Sequence, residues 1–393
     1  METTPAPLPR YGGRHYGLDW LRIGAFAVLI LYHVAMVFVP WGFHVKSTHI
    51  ASWLTLPMLG VNAWRLPLLF VVSGYASRAL LARYPHPARF AGNRSMRLLI
   101  PLVFAVAVVV PPQPWVELVT RHGYRGGFAG FWLRDYWSFR LLGGVPLPAW
   151  NHLWFVGYLW VYTLVLAAGA ALVRTDRVQR VFDRLFSGWG LLVVPVAWLT
   201  CVHAWWFTMQ GETHGLVDDW VAHTTYLPAF LFGFGLAGSP GGLAAAVRLW
   251  KPAAVLALLG YGAVLAFELS YAAKFWAWTW RYRPYGLAHA VQQWGAIVAL
   301  LGIAERFWNR DAPVRPMLTE AVFPFYIVHQ TIIVVGMYAL LGTGLPGWAE
   351  FAVLVAATAA GCWAFYRTGR TISWVRPLIG LRQQQRPAVP ALL

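Results

Sequence analysis

An arginine, Arg22, and a histidine, His33, stand eleven residues apart in an otherwise apolar stretch. Eleven residues make close to three helical turns, so both side chains project from one face, about 16 Å apart along the axis. Ionisable groups inside an apolar helix are costly and are kept for internal pairing or for function. His33 has two readings: a packed imidazole bonded to a carbonyl, or a general base, since neutral imidazole accepts a proton near pH 7. Asp19 lies three residues before Arg22, a spacing at which the two can neutralise one another.

Other residues invite the same question. Arg94 and Arg97 form a second pair at a spacing of three, where an apolar block begins. Two guanidiniums at a helix N-terminus suit a phosphate, and equally suit anchoring at a cytoplasmic interface. Arg65 sits mid-block and must meet a carboxylate, a carbonyl or a bound anion. Asn62, Leu69 and Ser73 share its helical face, Pro67 frees a carbonyl nearby, and Glu268 lies at a comparable depth in a later block. His152, His203, His289 (with Gln292 and Gln293) and His329 are the remaining polar groups on apolar blocks. None has the spacing of a zinc motif, and no metal is expected. Cys201 and Cys362 are far apart in sequence and are expected to be inert buried thiols.

The elements that hold these residues follow from composition. Of 393 residues, 59% are hydrophobic and 11% charged. A soluble domain carries about a quarter charged residues. The apolar residues come in blocks near the roughly 20 needed to cross a hydrocarbon core, and such blocks must be helical so that the backbone satisfies itself. The fold class expected is all-α: a polytopic integral membrane protein of about ten spans. They are placed at Leu18–Pro40, Ser52–Leu81, Leu98–Val119, His152–Val173, Leu185–Met209, Trp220–Gly238, Leu249–Tyr271, Gly286–Phe307, Glu320–Leu341 and Gly347–Tyr366.

Lys and Arg outnumber Asp and Glu by 31 to 14, for a net charge of +17. The basic residues gather in alternate connections: Arg10 and Arg14, Arg78 to Arg97, Arg174 to Arg184, Arg248 with Lys251, Arg306 to Arg315, and Arg367 to Arg386. The intervening ones hold fewer: Lys46, then Arg121 to Arg140, then Lys274, Arg281 and Arg283. That asymmetry marks the richer side as cytoplasmic and puts both termini there, in a multi-pass protein of the cell (inner) membrane. With the charge explained this way, no nucleic-acid partner is expected; the 24 Trp and 17 Tyr suit contact with membrane lipids at the interfaces. Residues 1–17 form a cytoplasmic segment, 18–366 the transmembrane domain and 367–393 a basic, disordered tail. Asp19 and Arg22 interrupt the first block, so it is not expected to be a cleaved signal. Phe131–Trp137 reads as an interfacial helix in the long connection 117–151.

Taken together, the segments resemble the membrane acyltransferase 3 family. The resemblance rests on Leu18-Asp19-Trp20-Leu21-Arg22 running on to Tyr32-His33, on Arg65-Leu66-Pro67-Leu68-Leu69-Phe70-Val71-Val72-Ser73-Gly74-Tyr75, and on Asn93-Arg94-Ser95-Met96-Arg97-Leu98-Leu99-Ile100-Pro101. Asn151-His152-Leu153-Trp154-Phe155 and Phe323-Pro324-Phe325-Tyr326-Ile327-Val328-His329-Gln330 continue it in order, in a pattern similar to the glucan-biosynthesis succinyl transferase branch. Val71-Val72 replaces an aromatic pair frequent before Ser-Gly, and the extracytoplasmic hydrolase-like domain of some relatives is not seen, which suggests a stand-alone enzyme. The resemblance implies an O-acyltransferase that takes an acetyl or succinyl group from cytoplasmic acetyl-CoA or succinyl-CoA, with no permanently bound cofactor, to a glycan or glycolipid hydroxyl on the outer side. It implies His33 as the essential histidine and Arg22, Arg94 and Arg97 as phosphate ligands of the donor. Asp19, Arg65, Ser73, His152 and His329 complete the candidate substrate- and donor-binding set. Two rivals stay open at this point: an exporter of a glycan or lipid using the same polar helices, and a non-catalytic scaffold or sensor.

Overall fold

A computed structural model describes residues 15–205, 212–271 and 282–383. Twelve helices carry the fold among them: α1 (Tyr16–Met36), α2 (Thr55–Leu81), α3 (Pro87–Phe104), α4 (Pro112–Arg121), α5 (Trp154–Leu172), α6 (Thr175–Phe186), α7 (Gly190–Trp205), α8 (Trp220–Leu236), α9 (Pro240–Tyr271), α10 (Tyr282–Phe307), α11 (Arg315–Leu340) and α12 (Gly347–Thr371). A two-stranded antiparallel ribbon, β1 (Leu141–Leu142) with β2 (Val145–Pro146), is the sole sheet among the described residues.

Among the described residues, eight helical segments are long and apolar enough to cross a membrane, nine if the bent pair α6–α7 is one span. The chain is thus an all-α, multi-pass membrane protein. The sixth expected span corresponds to α8, which has 17 residues and reaches only about 25 Å. The expected span 185–209 is interrupted: α6 and α7 meet at 97°. The third begins earlier than expected, because α3 starts at Pro87, a residue suited to the first helical position. Residues 206–209 of one expected span, and the loop residues Lys274 and Arg281, lie outside the described residues, as do 1–14 and 384–393.

The chain divides into two compact units. The first comprises residues up to Tyr32, Ser52–Arg94 and Tyr158–Thr319. Its helices approach closely wherever a glycine removes the side chain between them. A Cβ at Gly74 on α2 would fall onto the Phe230 carbonyl of α8, and one at Gly233 on α8 onto the Val71 carbonyl of α2. In lipid, where apolar burial gives little drive for helix association, such backbone proximity is what packing rests on. At the start of α1, Asp19 accepts from Arg315 at 2.7 Å and Arg22 donates to the Thr319 carbonyl at 2.9 Å. Asp19 therefore meets a basic partner from α11, beyond the neighbour expected one turn along its own helix. Glu268 accepts from the Tyr285 hydroxyl at 3.1 Å, and is not the partner of Arg65.

The second unit comprises His33–Ala51, Ser95–Gly157 and the chain from Glu320 on. In it, Phe131–Asp135 forms a single turn pinned to the end of the α3 segment. Trp132 donates to the Ala107 carbonyl at 2.8 Å and the Tyr136 hydroxyl to that of Val106 at 2.7 Å. Phe131 and Tyr136 are fully buried while Leu133 and Trp137 stay exposed, so one face of the expected interfacial segment packs on protein and the other presents apolar side chains. The expected disordered tail starts too early as well. Residues 367–371 complete α12, Arg376 is buried, and its guanidinium donates to the carbonyls of Arg382 and Arg370 at 2.6 and 2.8 Å. Cys362 is buried as expected, whereas Cys201 lies exposed on α7.

Candidate active site

His33 occupies the last turn of α1. Beyond Met36 the chain leaves the helix, and Lys46 folds back to donate to the carbonyls of Met36 (2.5 Å), Val39 and Trp41 (2.9 Å). A cation over the last carbonyls of a helix satisfies groups that have no intrahelical partner. Burial, reinforced by the charge of Arg121, brings the Lys46 ammonium down to about 8. The far end of this loop is held by the Ser47 hydroxyl, which donates to Glu350 at 2.5 Å. The loop so closed sets Phe43 against the His33 ring, stacked at 6.4 Å between centroids.

The second neighbour of His33 is His329 of α11. Nδ1 of His33 and Nε2 of His329 are 2.9 Å apart, and the rings stack at 5.0 Å. Nδ1 of His329 is 2.8 Å from the Tyr326 carbonyl, which only accepts. For neutral rings these contacts fix both tautomers. His329 carries its proton on Nδ1, so its Nε2 accepts, so His33 carries its proton on Nδ1 and presents a lone pair at Nε2. His329 is fully buried, whereas His33 is only partly so. His152 completes the cluster: its Nε2 donates to the carbonyls of Tyr326 (3.1 Å) and Ile327 (3.2 Å), and the Tyr326 hydroxyl donates back to the His152 carbonyl. That clamp holds the α11 turn on which His329 sits. Among the described residues no three His, Cys, Asp or Glu side chains converge as metal ligands.

Of the nine sequence candidates, the structure thus brings His33, His152 and His329 together in the second unit. Asp19 and Arg22 belong to the first, with Arg315 and Thr319. Arg65, also there and buried, donates to Asn62 and lies 3.5 Å from the centroid of the Tyr32 ring. Ser73 stands beside Gly74 on α2, its carbonyl accepting from the Ser77 hydroxyl at 2.8 Å. Arg94 and Arg97 are half-buried on α3, Arg94 in the first unit and Arg97 in the second. Because α3 begins at Pro87, their amides are spent inside the helix, and the expected N-terminal phosphate site at this pair is not formed.

Sequence reasoning missed a second polar chain in the same unit. His44 Nδ1 donates to Glu117 at 2.5 Å, Gln330 connects His44 (3.0 Å) to Gln113 (3.0 Å), and Gln113 meets Asn151 (2.8 Å) and Thr331 (2.7 Å). One signal was available: Glu117 is among only 14 acidic residues and closes an apolar block.

A family model described as an acyltransferase domain matches residues 15–367. Among curated proteins, the chain is similar to the glucans biosynthesis protein C of Shigella dysenteriae serotype 1, with 31% identity over 153 residues, 38% of this chain and 37% of that protein. It is also similar to the proteins of the same name from Salmonella paratyphi B and Salmonella enteritidis PT4, each 34% identical over 113 residues, 29% of this chain and 28% of theirs. The matched regions thus span between 28% and 37% of those relatives' length. No solved structure matches.

Proposed function

The chain belongs to the acyltransferase family whose model covers residues 15–367, and from that premise we propose that it moves an acetyl or succinyl group from cytoplasmic acyl-CoA to a hydroxyl of an extracytoplasmic glycan or glycolipid. The observation that carries this reading is the locked His33–His329 pair, which gives a partly accessible imidazole a defined lone pair. His33 Nε2 takes the proton of the acceptor hydroxyl as its oxygen attacks the acyl carbonyl. The carbon–sulfur bond breaks, the proton passes to the departing thiolate, and ester and free thiol are the products. The glycan acceptor is suggested by the printed names of the relatives; the distribution of basic residues supports a cytoplasmic position for both ends.

Arg22 and Arg94, both in the first unit, supply guanidiniums for the donor's phosphates. Arg22 and His33 ride on the single helix α1, whose length between them is about 16 Å. An extended pantetheine arm is of that order, so the nucleotide need not leave the cytoplasmic side. Mass spectrometry of envelope glycans from cells with and without the gene tests the whole reading: an ester mass should disappear with the gene. Glycans of unchanged mass and altered location would instead indicate an exporter.

Arg65 is assigned to the donor's distal carboxylate when that donor is a dicarboxylic thioester. It meets the Asn62 amide oxygen and the ring and hydroxyl of Tyr32, none of them a carboxylate. A charge-assisted contact is worth about 1.5–3 kcal/mol. Arg65→Leu should therefore lower succinyl transfer about ten- to a hundredfold more than acetyl transfer, measured as kcat/KM for the two donors. Equal losses would remove this role.

A further inference from the structure

The chain Glu117–His44–Gln330–Gln113 is not used by the transfer step above, and its hydrogen bonds have only one consistent arrangement. The Thr331 hydroxyl donates to the Val109 carbonyl at 2.7 Å, so its oxygen must accept from the Gln113 amide nitrogen. That turns the Gln113 oxygen toward Gln330 and Asn151, from each of which it accepts. The Gln330 nitrogen then spends its second hydrogen on His44 Nε2. His44 is left with its proton on Nδ1, facing Glu117, and a lone pair at Nε2. The inner members are buried, Gln113 at 0% and Gln330 at 4% exposure, but the outer pair is open: 17% for the His44 side chain and 19% for Glu117. Phe43 lies against both imidazoles, 6.4 Å from His33 and 5.3 Å from His44 between centroids.

We propose that His44, Glu117 and Gln330, beside Phe43, form the subsite that receives the acceptor, and that its ligand is a neutral, polyhydroxylated carbohydrate. This rests on the reading that a hydroxyl acceptor reaches His33. The partly exposed end offers acceptors: the Glu117 carboxylate and, once the Gln330 amide is displaced, the His44 Nε2 lone pair. Adjacent sugar hydroxyls supply the matching donors, and the first to arrive at Nε2 displaces Gln330, whose freed N–H turns to a ring or hydroxyl oxygen. The Phe43 ring offers a face for the apolar side of a sugar. Arg121 and His122 also act on Glu117 electrostatically, yet an acceptor's phosphate or carboxylate would meet the Glu117 oxygens themselves at the contact, where a hydroxyl can donate and an anion cannot.

The test uses the full-length protein in proteoliposomes, with radiolabelled acetyl-CoA and glucose oligosaccharides of mixed linkage as probes. Glu117→Gln and His44→Gln should raise the KM for oligosaccharide about tenfold or more while leaving the KM for acetyl-CoA within about twofold, and Glu117→Asp should recover part of the loss. An independent measurement needs no variant: diethyl pyrocarbonate should modify His44 in the wild type, and oligosaccharide should slow that modification whereas acetyl-CoA should not. Wild-type transfer with an unmoved acceptor KM, both KM values rising together, or modification of His44 indifferent to oligosaccharide would each overturn the subsite. A wild type that acylates no hydroxyl acceptor would overturn the reading on which it rests.

Discussion

His33→Ala is expected to reduce acyl transfer by about a hundred- to ten-thousandfold, the range in which a positioned general base operates, with no loss of membrane insertion. The ring lies in the last turn of α1 and is only partly buried, so truncation removes chemistry more than packing. His329→Leu removes the acceptor that keeps the His33 proton on Nδ1 and its lone pair on Nε2. Without an acceptor for the Nδ1 proton, His33 can place that proton on either nitrogen and rotate, and activity should fall by about ten- to a hundredfold. His329→Gln, which restores an acceptor oxygen, should recover part of this. The measurement is single-turnover ester formation in proteoliposomes alongside the amount of inserted protein. Full activity in His33→Ala would remove the imidazole from the mechanism, and equal rates in the two His329 variants would remove the tautomer lock.

The second large effect is structural. Gly74→Val should destabilise the first unit by more than about 3 kcal/mol, and Gly233→Val by a similar amount, because each side chain would strike a backbone carbonyl of the facing helix that cannot turn aside. Gly92, whose Cβ would meet nothing nearby, serves as the comparison: Gly92→Ala should accumulate normally. Thermal inactivation in detergent and the yield of folded protein read the difference. Wild-type yield in Gly74→Val would mean that α2 and α8 do not depend on this approach.

Much of the fold can be read in the residues because a lipid-facing helix has to be apolar for its whole length and satisfy its own backbone. What escapes that rule was misplaced. Residues 87–97 are too polar to register as a span yet begin α3, and α6 was hidden because an amphipathic segment rich in arginine reads as a loop beside longer apolar blocks. The unequal legibility of the candidate site has the same origin. His33, His152 and His329 stand out since an imidazole on an apolar block is conspicuous. His44 and Gln113 sit in a loop and at a proline-rich break without periodicity, and contacts as distant as Gln330 with His44, 286 residues apart, join them only once the chain has folded. Arg94 and Arg97 lie about two turns inside α3, where the apolar pattern alone had put them at its start.

The chain of imidazoles behind His33 stops at the backbone oxygen of Tyr326, where a serine hydrolase would place an aspartate. Among the described residues the contact at its end is thus a backbone carbonyl, a weaker support for an accumulated imidazolium than a carboxylate would be. In the transfer proposed above, such an arrangement would spare the acyl donor from wasteful hydrolysis between turnovers and tie each proton taken up to a thiol released in the same cycle.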